Sequence, residues 1–252
     1  MSLLRTTAKR VRKLIASVGS EPDACGESLS RLQKILRHRF NDPTVLRQAL
    51  VHKSSTDSAD RKGLLSNERL EFLGDAVLNC LVTEHLYRKY PEKSEGQLSK
   101  IKSLIVSRKI LGDVAASIEL GSHLILGQSE RKSCGRAHRS IMSNAFEAVL
   151  GALYLDGGLE AVRELLDRTL FGRIDEFLSD KRYINYKSAI LEMAQRDGLG
   201  IPRYAVVNTT GPEHAKQFTV RIQISGIVMG EGKGPNKKIA EQEAARYAMQ
   251  AY

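Results

Sequence analysis

Apolar residues recur at intervals of three and four through most of the chain up to residue 178, which is the spacing of one helical face. The pattern predicts a short helix over Leu29–Phe40. A second helix opens at Asp42-Pro43 and runs through Val45, Leu46 and Leu50, with an acid as cap and proline in the first turn. Ser54–Ser66 is polar and glycine-broken, a loop. Leu70, Leu73, Val77 and Leu81 then form the stripe of a helix that continues to about Tyr90, where Pro91 stops it. Ser94-Glu95-Gly96 opens the next, with Leu98, Ile101, Leu104 and Ile105 inward. Arg108–Ile118 and Leu120–Leu126 give a further helix and turn, and Gly127–Ser140 is a polar loop. Ser143–Tyr154 is helical and strongly apolar. Glu160–Leu178 closes the helical part with Val162, Leu165, Leu166 and Leu170 inward.

After a linker over residues 179–184 the period changes. Tyr186–Arg196 is a helix, whereas Pro202–Thr209, Gln217–Ile224 and Ile227–Glu231 alternate as strands do. Ser225-Gly226 is the tight turn between the last two strands, and Asn236–Tyr252 is a final alanine-rich helix. The fold class is therefore mainly α: an all-α domain followed by a small α+β domain of order α-β-β-β-α.

Composition narrows the partners. The 252 residues, 42% hydrophobic and 27% charged, are those of a soluble globular chain with length for two modest domains. A net charge of +10 favours an anionic partner, nucleic acid first. Cys25, Cys80 and Cys134 are odd in number and far apart, so neither a disulfide framework nor a zinc pattern forms, and a reducing compartment is expected. No apolar run reaches the length of a membrane span. Residues 1–20 carry five basic residues and no acid. They suit either a basic extension, with a cytoplasmic protein, or an organellar transit peptide.

Candidate chemistry stands on two helices. Glu71 and Asp75 are four residues apart and so share a face, which continues through Leu78 and Val82 into the protein. A carboxylate facing inward is costly unless a positive charge meets it, and no Lys or Arg between Glu71 and Tyr87 does so from the same helix. Asn144 and Glu147 are three apart on the second apolar helix. Two helices offering oxygen ligands inward form a bundle metal site, and oxygen-only ligation suits Mg²⁺ first and Mn²⁺ second. The alternative is a surface helix whose acids face water.

The run Asn67-Glu68-Arg69-Leu70-Glu71-Phe72-Leu73-Gly74-Asp75-Ala76-Val77-Leu78 resembles the signature helix of ribonuclease III, the endonuclease of double-stranded RNA. The second helix, through Tyr154-Leu155-Asp156-Gly157-Gly158, resembles that family's other active-site helix. Pro202, Tyr204, Gly211, His214, Phe218, Asn236-Lys237-Lys238 and Ala240-Glu241-Gln242 resemble a double-stranded-RNA-binding domain. The likeness spans roughly residues 30 to 252. It divides the chain into a basic extension (1–27), an endonuclease domain (28–178), the linker (179–184) and an RNA-binding domain (185–252).

The resemblance implies Mg²⁺-dependent hydrolysis by Glu71, Asp75, Asn144 and Glu147. It also implies products with 5′ phosphates, 3′ hydroxyls and short 3′ overhangs, and a part in processing ribosomal and messenger RNA. It implies a homodimer, with Phe72 packed into the partner or else an ordinary core residue, Glu68 near the same seam, and Glu95 near the RNA valley or simply a helix-start acid. Ser188, Glu192, Gln195, His214, Asn236, Lys237 and Lys238 are the expected RNA contacts. Arg131, Lys132, Arg136, His138 and Arg139 form a basic loop beside the site. One position departs: most family members carry Asp where this chain has Asn144, and an amide oxygen ligates without charge. That suits a tuned active site, an engineered change, or a chain that binds without cutting.

Overall fold

A computed structural model of the chain describes residues 22–56, 64–131 and 136–251. It divides into two compact units, one ending at Ser179 and one beginning at Asp180. In the first unit, α1 (Pro22–Leu36), α2 (Pro43–Ala49), α3 (Glu68–Lys89), α4 (Glu95–Ile105), α5 (Arg108–Ser117), α6 (Gln128–Arg131), α7 (Arg136–Thr169) and α8 (Ile174–Ser179) follow in order. The only extended pairing among the described residues of this unit is a single bridge between Val51 and Ile125.

Most helix starts fall where the capping pattern puts them. Asp42 accepts from the Thr44 amide ahead of α2, and Ser94 with Gln97 closes a capping box on α4. Three expectations are corrected. The first helix starts at Pro22 and ends at Leu36 instead of running over Leu29–Phe40, because Arg37 turns the chain at φ 54°. Phe40 still enters the core, but from a loop. The stretch Gly127–Ser140 is not one loop: α6 and the first turns of α7 occupy its described part. Finally, Glu160–Leu178 is not one helix. The chain is helical from Arg136 to Thr169 across a kink at Gly158 (φ 70°), then takes a 3-10 turn into α8. The proposed roles of residues 1–20 fall outside the described residues.

α7 is the buried axis of this unit. Met142, Ser143, Ala145, Phe146, Ala148, Val149, Leu150, Ala152 and Leu153 are all buried, so nearly every face of its first half is sealed. It crosses α3 with backbone against backbone. A Cβ on Gly74 would lie 1.7 Å from the Glu147 carbonyl oxygen, and one on Gly151 would lie 2.4 Å from the Leu70 carbonyl oxygen. Each helix thus supplies the glycine that lets the other in. A buried Asn67, whose amide nitrogen donates to the Val51 carbonyl (2.8 Å), fixes where α3 begins.

The second unit holds α9 (Tyr186–Arg196), β1 (Arg203–Thr210), β2 (Gln217–Ile224), β3 (Ile227–Gly234) and α10 (Lys237–Ala251). The sheet is antiparallel in the order β1-β2-β3, with Val206 opposite Val220 and Val220 opposite Gly232. Ser225 (φ 50°) and Gly226 (φ 80°) make the expected tight turn, both with the positive φ that a primed hairpin turn requires. Alternation is clear in β2, where Val220, Ile222 and Ile224 are buried. It is absent from the burial of β1, an edge strand exposed nearly throughout. Gly230, Gly232 and Gly234 of β3 lie against the backbone of α10, whose Ala240, Ala244 and Ala248 face them.

The glycine crossing yields a test. Gly74→Ala places a methyl into backbone that cannot step aside, so α3 and α7 must part. The expected cost is about 3 kcal/mol, a melting temperature lower by roughly 6–12 °C for a unit of this size. Gly96→Ala, which meets nothing within 4 Å in the first turn of α4, is the control and should be neutral or stabilising by up to about 1 kcal/mol. Thermal unfolding of both variants checks this.

Candidate functional site

At the α3–α7 crossing, Asn144 and Glu147 are the only half-buried residues of α7 between Ile141 and Leu153. They open toward α3, Asn144 two turns and Glu147 one turn before Gly151. Across from them, α3 presents Glu71, one turn before Gly74, and Asp75, the next residue. Asn144 donates a hydrogen bond to the Glu71 carboxylate, and the charges of both Glu71 and Asp75 act on Glu147. All four residues singled out in the sequence are therefore brought together.

Their exposure differs from expectation at one position. Glu71 and Glu147 are half-buried, but Asp75 is exposed, not inward, and its carboxylate accepts from Asn79 (2.9 Å) one turn along the same helix. The apolar continuation through Leu78 and Val82 is real, since both are buried, but the helix turns enough by Asp75 to leave that carboxylate on the rim.

Burial first, then the charges of Asp75 and Glu71, push the Glu147 carboxyl up to about 7. Burial first and Glu68 second also raise Glu71, against which the Asn144 hydrogen bond, Lys53 and Arg108 pull down. Arg108, the first residue of α5, offsets both acids from a third helix. Its part in the site does not follow from charges along a single helix; the sequence signal for it is the Ser107 cap, which places Arg108 at a helix start. Among the described residues no three acid, histidine or cysteine side chains converge into a closed metal cage. Like charges explain the splay: Asp75 turns to Asn79 and Glu71 to Asn144, each taking the positive end of an amide. The donor set nonetheless fits a hard cation. It is all oxygen, and burial first, with neighbouring negative charge second (Asp75 and Glu71 on Glu147, Glu68 on Glu71), raises two of its carboxyls, which a bound cation would relieve.

Next to the site, Phe72 is 81% exposed, so it is not a core residue. It borders an open groove lined by Gln48, Glu68, Leu70, Leu73 and Leu155, and Leu155 and Leu159 are exposed as well. Glu68 pairs with Lys53 (3.1 Å), and Glu95 accepts from Ser99 (2.7 Å) as a first-turn acid of α4. In the basic stretch, Arg131 donates to the Leu126 carbonyl and Arg139 lies 3.8 Å from Asp113. Lys132 is outside the described residues.

In the second unit, Ser188, Glu192 and Gln195 are all exposed on the side of α9 opposite the buried Ile190 and Ala194. Leu191, beside them, is half-buried. His214 lies in a 3-10 turn between β1 and β2, and its side chain falls outside the described residues. Asn236 caps α10 by accepting from the Ile239 amide (3.0 Å), and Lys237 and Lys238 follow in its first turn, exposed.

The raised Glu147 carboxyl has a testable consequence. Its folded pKa stands above the ordinary value near 4.5, so the folded chain holds this proton more tightly than the unfolded chain. The group's contribution to stability therefore falls as pH rises from about 4.5 to about 7 and is constant above. Without divalent ions, Glu147→Gln should melt higher than the unaltered chain at pH 8, with the gap closing as pH falls toward 4.5. A gap independent of pH contradicts this.

Comparison with known proteins bears on both units. Residues 42–174 match a family described as ribonuclease-III-like, and residues 186–252 match the double-stranded RNA binding motif. The protein named Ribonuclease 3 from Desulforamulus reducens is 40% identical over 224 residues, 89% of this chain and 91% of its own length. That of Treponema pallidum is 42% identical, covering 88% of each chain. A solved nuclease domain of ribonuclease III from Campylobacter jejuni, described for structural flexibility in its region of dimer formation, superposes with a TM-score of 0.52. It is 37% identical and covers 56% of this chain and 95% of that one. A second structure of that domain gives a TM-score of 0.51 at 35% identity, covering 60% and 96%. Similarity of this extent, running through the helical unit and the sheet unit alike, means that the chain belongs to the ribonuclease III family.

Proposed function

We propose that this endoribonuclease hydrolyses phosphodiester bonds of double-stranded RNA with Mg²⁺ (Mn²⁺ as substitute), using Glu71, Asp75, Asn144 and Glu147. The observation that carries it is the meeting of these four oxygen donors across the Gly74–Gly151 crossing. Mg²⁺, when bound, lowers the pKa of a water and offsets charge developing at the scissile phosphate. Glu71, Asp75 and Glu147 supply the negative charge that selects a hard cation, and Asn144 adds a neutral oxygen. In the balanced reaction, water oxygen bonds to phosphorus, the bond to the 3′ oxygen breaks, and that oxygen takes up a proton. The products have 5′-phosphate and 3′-hydroxyl ends.

In this reading the RNA-binding unit takes up an A-form duplex. Ser188, Glu192 and Gln195 lie on one exposed face, placed for 2′-hydroxyls of a minor groove. Lys237 and Lys238 stand at a helix start, where free amides and the helix dipole already favour phosphate. The exposure of Phe72 supports a homodimer: leaving a phenylalanine 81% exposed forgoes roughly 1.5–3 kcal/mol that burial in a second copy would recover. Two sites on one duplex then give short 3′ overhangs. Processing of ribosomal and messenger RNA in the cytoplasm is the setting that suits such an enzyme. Among the described residues no helix is long and apolar enough to cross a membrane.

One feature favours a second reading, a chain that binds duplex RNA without cutting it: Asn144 brings an uncharged oxygen where the family resemblance implies an Asp carboxylate. Cleavage of a long, perfectly paired RNA separates the two. With Mg²⁺ the unaltered chain should cut, Asn144→Asp should cut at lower Mg²⁺, and Glu147→Gln should lose at least about a hundredfold in rate. If only Asn144→Asp cuts, this form is a binder disabled at one position.

A further inference from the structure

Lys237 and Glu241 are four residues apart on α10, and Lys238 and Glu241 three apart, so a pairing within the helix is available to either lysine. Neither forms one among the described residues. Glu241 is held instead by Lys187 of α9, whose Nζ donates to its carboxylate at 2.7 Å. The Lys187 ammonium also sits 4.6 Å from the centre of the Tyr204 ring, so it is engaged on two sides. Beside this pair, Gln242 spans the same two helices. Its Nε2 donates to the Asn185 cap of α9 (2.8 Å), and its Oε1 accepts from the Lys187 amide (3.4 Å). Asn185 in turn accepts from the Ser188 amide (3.3 Å). The start of α9 is thus capped from α10, and the first acid on α10 is neutralised from α9.

An exposed or half-exposed ion pair adds little to stability, so its value here lies elsewhere. We infer that Lys187 is a positioning residue for RNA binding: by occupying Glu241 it leaves Lys237 and Lys238 free for backbone phosphate. The inference builds on the proposal that these two lysines contact RNA. An uncovered Glu241 would act in two ways at once. It would compete with phosphate for the lysines, and it would place a like charge beside the RNA backbone. Lys187 itself needs no contact with RNA to matter.

The test is duplex-RNA binding by the full chain, without divalent ions so that nothing is cut, across a series of salt concentrations. Lys187→Met should weaken binding by roughly three- to tenfold and flatten the salt dependence by about one phosphate contact. Adding Glu241→Gln to Lys187→Met should restore affinity to within about twofold, and Lys187→Arg, which keeps the pair, should bind as the unaltered chain does. Circular dichroism and melting of each variant confirm folding. A double variant as weak as Lys187→Met would show that Lys187 touches RNA directly and overturn the inference, as would a Lys187→Met chain that binds normally. Lys237→Met with Lys238→Met is measured alongside. If that pair binds normally, the phosphate reading of α10 fails and takes the inference with it. If that pair weakens binding while Glu241→Gln fails to rescue Lys187→Met, only the inference fails.

Discussion

The contact between Gly74 and Gly151 sets the geometry of the candidate site. Two helices whose backbones touch bring side chains one turn away into the space a single residue would ordinarily fill. That proximity sets Glu71 and Asp75 against Asn144 and Glu147, and burial first, then the charges of Asp75 and Glu71, raise the Glu147 carboxyl to about 7. Acids so placed are unfavourable on their own, which is why the site suits a cation. The rest of the helical unit serves this geometry. α7 is sealed on its other faces by apolar packing, and Asn67 fixes where α3 starts.

The RNA-binding unit solves a related problem with the same means. Three glycines on β3 face three alanines on α10, so the helix lies flat on the sheet and its first turn falls at a fixed place. Small residues set distance, and the polar ties between α9 and α10 set which charges remain available. In both units shape comes from residues with almost no side chain, and chemistry from neighbours one turn away.

Much of this was legible in the sequence, for reasons that differ by residue. The periodicity of Leu70, Leu73, Val77 and Leu81 defines α3, and polar residues on apolar helices mark the four candidate positions that the structure brings together. Caps at Asp42 and Ser94 carried their own hydrogen-bond logic into the structure. The crossing itself was hidden. A glycine within a helix costs stability and so calls for a packing reason, but which partner it meets is a long-range fact. Asp75 lies on the rim and not inward, because four residues turn a helix past a full circle by enough to carry its carboxylate outward. Phe72 could be core or surface from spacing alone, and only its 81% exposure decides. The exposure of β1 likewise follows from α10 lying over β3 and β2, which alternation does not report.

The most direct test of the central claim is binding of Mn²⁺ to the RNA-free chain, followed by electron paramagnetic resonance, with Mg²⁺ as competitor. The unaltered chain should bind Mn²⁺, Mg²⁺ should displace it, and Glu71→Gln and Glu147→Gln should each abolish the binding while Glu95→Gln leaves it intact. Binding that survives both substitutions would place the cation elsewhere and contradict the site built on the glycine crossing.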